Sequence, residues 1–87
     1  MKVLWARLER AAQFVAHLHK LTRDDQHSWR RSDSIGRDIG LLGAHLDQAV
    51  DDAEHARLID RRVDDPNLVI LTSKGRAMAE GMPDVRA

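Results

Sequence analysis

The segment from Ser34 to Arg62 constrains the fold of this chain more than any other. Ile35 and Ile39 have the four-residue spacing of one face of a short helix, and Gly40 follows where a tight turn needs a positive φ. Leu41 offers an apolar plug for that turn. Leu46, Ala49, Val50 and Ala53 then recur at i, i+3, i+4 and i+7, which predicts a longer helix over about Leu42 to Ala56. Leu58-Ile59 begins a strand, Asp64-Asp65-Pro66-Asn67 has the composition of a tight turn, and Leu68-Val69-Ile70-Leu71 reads as the returning strand. The expected pairing is antiparallel, about Leu58–Val63 with Leu68–Leu71, and makes a two-stranded β wing beside the helices.

The flanks add two more helices. From Val3 to Leu21, the residues Leu4, Leu8, Ala11, Val15 and Leu18 form a helical stripe, widened by Val3, Phe14 and Leu21 on one side and by Trp5 and Ala12 on the other. The apolar arc covers about half the circumference, more than the ~100° that one core contact requires. A second subunit is the expected other partner, in a homodimer through Trp5, Phe14 and Leu18. Around Trp29 a loop or short edge strand is expected. Ser32 or Asp33 is placed to cap the second helix, roughly Ser34 to Ile39, and Thr72 or Ser73 to cap a last one, Lys74 to Glu80, which Gly81 and Pro83 stop. The 87 residues therefore read as one domain: an N-terminal helix (1–22), two helices around a turn (33–56), a wing (57–72), and a last helix with its tail (73–87).

Composition removes several functions. With no cysteine, disulfides, thiolate metal sites and cysteine nucleophiles are excluded. No apolar run approaches the ~20 residues of a membrane span, nor does the N-terminus carry the apolar stretch of a signal peptide, so a cytoplasmic protein without a membrane partner is expected. His17 and His19 lie two apart, and His45 and His55 almost three helical turns apart, so no helical i, i+4 metal pair exists. Neither a metal nor another cofactor is expected. Nothing provides a nucleophile with a base and an oxyanion hole, and Gly36, Gly40 and Gly43 recur as turn residues rather than as a phosphate loop, so an enzyme is not expected.

Three motifs, taken in order, resemble the MarR-like winged helix-turn-helix regulators of bacteria. They are Ile35-Gly36-Arg37-Asp38-Ile39-Gly40-Leu41 for the second helix and its turn, Ala53-Glu54-His55-Ala56-Arg57-Leu58-Ile59-Asp60-Arg61-Arg62 for the exit of the third helix, and Leu71-Thr72-Ser73-Lys74-Gly75-Arg76 for the step after the wing. The resemblance covers about Ser34 to Gly75 and implies a mainly α winged helix-turn-helix fold and a transcription regulator that binds double-stranded DNA. It also implies that Ala44, His45, Asp47 and Gln48 face the groove, that Arg61 and Arg62 flank the wing, and that Asn67 sits at its tip. Arg57 stands where the family ends this helix with glycine.

Charge conflicts with that implication. The chain is neutral overall, but residues 1–31 carry seven Lys/Arg against three acids and residues 32–56 carry one against six. The third helix holds Asp47, Asp51, Asp52 and Glu54 and no Lys or Arg, although phosphate neutralisation supplies much of a DNA binder's affinity. One carboxylate in the groove can accept from cytosine N4; several beside phosphates weaken binding. The acids otherwise form a solvated face, or Asp47, Asp51, Asp52 and His55 recognise a basic protein partner, as an anti-activator or a phage or mobile-element inhibitor would. Arg30, Arg31, Arg37, Arg61 and Arg62 are the phosphate candidates, with Lys74 and Arg76 opening the last helix. Alternatively, Arg61 and Arg62 pair with Asp60, Asp64 and Asp65.

Overall fold

The computed structural model describes the backbone of residues 2–25 and 27–81, and the side chains of that range from residue 6 onward. Its elements run α1 (Lys2–Leu21), β1 (Arg30–Arg31), α2 (Ser32–Ile39), α3 (Gly43–His55), β2 (Ile59–Arg61), β3 (Leu68–Leu71) and α4 (Ser73–Gly81). Trp5's side chain and Pro83 lie outside the described residues.

The expected hairpin is present, with Ile59 opposite Leu71, Asp60 opposite Ile70 and Arg61 opposite Val69. It is not two-stranded, however. β1 joins the free edge of β3, Arg30 facing Val69 and Arg31 facing Leu68, so the sheet is three antiparallel strands in the order β1-β3-β2. The third strand is the short edge strand, one of the two alternatives around Trp29, although its two residues are too few to show alternation.

Each junction has a local cause. Gly40 takes the left-handed conformation (φ 78°), its N–H meets the Arg37 carbonyl, and Leu41 N–H donates to the Gly36 carbonyl at 2.8 Å, closing the end of α2. α3 ends in the same way without a glycine: Arg57 adopts φ 63°, and Leu58 N–H reaches the Ala53 carbonyl at 2.9 Å. Neither Ser32 nor Asp33 caps a helix beginning at Ser34. The helix starts at Ser32, whose N–H donates to the Asn67 carbonyl at 2.8 Å, so the hairpin turn serves as the cap. The Thr72 hydroxyl does act at α4, accepting from Gly75 N–H at 2.9 Å and donating to the Arg57 carbonyl at 2.6 Å.

The core joins α1 (Phe14, Val15, Leu18) to Ile35, Leu41, the predicted α3 face (Leu46, Ala49, Val50, Ala53), and Leu58, Ile59, Val69 and Leu71 of the hairpin. Two expectations for α1 change here. Leu8 is exposed rather than part of the stripe in the core, while Phe14 and Leu18 are fully buried within the single chain and have no surface to offer a second subunit. Of the arc on α1, Ala11, Phe14, Val15 and Leu18 are used inside the domain, where α1 packs on α2, α3, α4 and β3, while Leu8 stays outside it.

Candidate nucleic-acid interface

Strand register decides where the arginines go. Residues directly opposite in an antiparallel sheet share a face. Val69 is fully buried against the core, so Arg30 and Arg61, its neighbours on either side, lie on the core side. Arg31 faces Leu68, and Arg62 N–H continues the ladder to the Leu68 carbonyl at 2.9 Å, which puts both on the outer side.

The two inner arginines are occupied. Arg30 Nη2 donates to the Leu21 carbonyl at 3.1 Å, placing a cation at the C-terminal end of α1 where the helix dipole favours it. Arg61 crosses to α3, where it hydrogen-bonds Asp51 and brings Nε within 2.9 Å of Glu54 Oε1. Its partners are thus the acids of α3 rather than Asp60, which projects from the opposite face of the sheet. Of the pairings expected around the wing, Arg62 Nε with Asp64 Oδ1 forms, at 2.8 Å.

α1 supplies two more cations to α3. Arg7 grips Asp52 with both Nη2 (2.7 Å to Oδ1) and Nε (3.2 Å to Oδ2), and these hydrogen bonds hold its guanidinium above its ordinary pKa. Arg10 Nη2 donates to Gln48 Oε1 at 3.0 Å. Sequence reasoning missed both, because the partners lie 45 and 38 residues away. The available signal was that two arginines three apart flank the apolar arc of α1.

Three of the four acids of α3 therefore have internal counter-ions: Asp51 and Glu54 share Arg61, and Asp52 has Arg7. Asp47 has no partner among the described residues and is exposed with Ala44 and His45 at the start of the helix. His55 is also exposed, one helix length away from them.

The remaining phosphate candidates stay at the surface. Arg31, Arg37 and Arg62 leave 59%, 69% and 46% of their side chains exposed, against 27% for Arg61. Arg31 and Arg37 share Asp33, at 3.2 and 3.5 Å, and the hydrogen bond from Arg31 lowers that carboxyl's pKa. Arg62 also lies over the ring of Trp29, 5.9 Å from its centroid, so the sheet's outer face holds this guanidinium on an aromatic surface. Asn67 is exposed in the hairpin turn while its carbonyl caps α2.

Of the other three histidines, His27 is exposed, His17 Nε2 lies 3.1 Å from Asp38 Oδ2 and His19 Nε2 lies 3.5 Å from Glu80 Oε2. Among the described residues no three His, Asp or Glu side chains gather as metal ligands, and no helix is long and apolar enough to cross a membrane. In comparisons with protein-family models, curated proteins and solved structures, the chain matches none.

Proposed function

We propose that this chain is a small winged helix-turn-helix DNA-binding regulator of the MarR-like kind, with α3 as the groove helix and the β2–β3 hairpin as the wing. One observation carries the reading: the acids that set α3 against DNA are partly offset from within the domain, by two arginines against three carboxylates. Arg7 and Arg61 hold Asp52, Asp51 and Glu54, so the acidic run serves to fasten α1 and the wing to α3. Asp47 remains as one free carboxylate near the start of the helix, a number that a groove helix tolerates by accepting from cytosine N4. Arg31, Arg37 and Arg62 are the more exposed arginines, which would exchange Asp33 and Asp64 for phosphates. Asp51 and Glu54 keep 65% and 44% of their side chains exposed, a surface that a basic protein would also meet.

The test is a fluorescence-anisotropy titration of a labelled random-sequence duplex across a salt series. Replacing Arg31, Arg37 and Arg62 by alanine should weaken binding on every duplex and reduce the slope of log K against log salt by roughly 0.9 per lost phosphate contact. Arg61→Ala should remove no phosphate contact. Its effect is to release Asp51 and Glu54 toward the DNA, so binding weakens while the phosphate-contact slope is kept. Absence of binding even at low salt, together with capture of a basic protein that depends on Asp47, contradicts the proposal.

A further inference from the structure

Building on that reading, we infer that Arg10 is a specificity-determining residue, which fixes Gln48 as a hydrogen-bond donor and turns α3 toward guanine. A glutamine amide ordinarily suits adenine, accepting from N6 through Oε1 while donating to N7 through Nε2. Here the two ends of the amide are not equivalent. Arg10 Nη2 meets Gln48 Oε1 at 3.0 Å, and a guanidinium only donates, so the oxygen must be the atom that faces it. Nε2, with its two N–H groups, is the end left for a ligand.

The charge acts in the same direction as the geometry. A guanidinium beside Oε1 repels a second donor approaching that oxygen, which is what the N6 amino group of adenine is. The major-groove edge of guanine presents only acceptors, N7 and O6, and both are attracted to the Nε2 donors and to the positive charge behind them. Position on the helix is suitable as well. Gln48 follows Ala44 by four residues, so the two share one side of α3, while the buried face is formed by Leu46, Ala49, Val50 and Ala53. The Nε of Arg10 is buried without a hydrogen-bond partner, so the contact to Gln48 is the side-chain hydrogen bond this guanidinium makes among the described residues. α1, which does not belong to the groove-reading unit, thereby takes part in base choice.

The experiment is selection of duplexes from a random-sequence pool by the full chain, repeated with Gln48→Ala, Arg10→Met and Arg10→Lys, each checked for folding by its circular-dichroism melt. The natural chain should enrich a motif with guanine preferred over adenine at one position by about fivefold to a hundredfold, and Gln48→Ala should lose that preference. Arg10→Met frees the amide to turn and should reduce the guanine preference to about twofold or reverse it to adenine, whereas Arg10→Lys, still a cationic donor, should restore it. An unchanged guanine preference in Arg10→Met, or a motif that Gln48→Ala leaves intact, overturns the role of Arg10 while DNA binding stands. A pool that no variant enriches overturns the proposed function, and this assignment with it.

Discussion

Gly75→Ala is the substitution for which local and tertiary reasoning give opposite signs. Gly75 lies within α4, where alanine is normally favoured over glycine by about 1 kcal/mol. A Cβ at this position would stand 2.8 Å from the Leu58 carbonyl carbon and 3.1 Å from its Cα, and closer still to the carbonyl oxygen. That neighbour is backbone, and its oxygen is already fixed by the Thr72 N–H at 3.1 Å, so no flexible side chain can swing aside. Overpacking of this kind costs about 1–3 kcal/mol, and shifting the strand start strains a hydrogen bond contributing about 1 kcal/mol more. After the propensity gain is subtracted, the net loss is about 1–3 kcal/mol, or roughly 5–20 °C in the melting temperature of a domain this small. Thermal unfolding followed by circular dichroism reads it directly. Gly81→Ala is the control, since nothing lies within 4 Å of its Cβ, and its melt should stay level or rise. A Gly75→Ala protein that melts at or above the natural chain refutes the close approach of α4 to the hairpin.

Three other outcomes follow from named contacts. Arg57→Gly relieves a non-glycine residue held at φ 63° and should stabilise the fold by about 1 kcal/mol in denaturant melts. Phe14→Ala should cost about 3–5 kcal/mol, and Phe14→Glu should abolish the cooperative unfolding transition rather than convert a folded dimer to a folded monomer, as sedimentation would show, because Phe14 is fully buried. Asp33, whose pKa is lowered chiefly by the hydrogen bond from Arg31, should titrate below the usual carboxylate range by carbon-detected NMR. Since its folded-state value is the depressed one, the stability it contributes is present above the ordinary carboxylate range and is lost as pH falls through that lowered value. Arg31→Ala should raise it.

What the sequence makes legible is whatever repeats locally. The α3 face repeats with the helical period, Gly40 marks the one turn its conformation requires, and the Asp64–Asn67 turn between apolar runs fixes the hairpin. The capping role of Thr72 is readable for the same reason, as its partner is three residues away. The motif around Gly75 was visible as a resemblance, and its cause, the Leu58 carbonyl, became visible only once the hairpin was folded beneath α4. Illegible features depend on partners distant in sequence. Arg7 and Arg10 show no local sign that they serve α3, and Arg61 differs from Arg62 only by the alternation of a strand, which sends one inward to Asp51 and Glu54 and the other outward over Trp29. A charge count of α3 cannot record that Asp51, Asp52 and Glu54 share two arginine partners from other elements.

The most direct test is to map backbone amide shifts by NMR as a short duplex is added at low salt. If the internal arginines free α3 for DNA, the shifts should concentrate on Gly43–Gln48, on Arg31–Arg37 and on the hairpin turn from Arg62 to Asn67, and should leave α4 unmoved. No shifts, or shifts confined to α4 and the paired acids Asp51–Glu54, would contradict it.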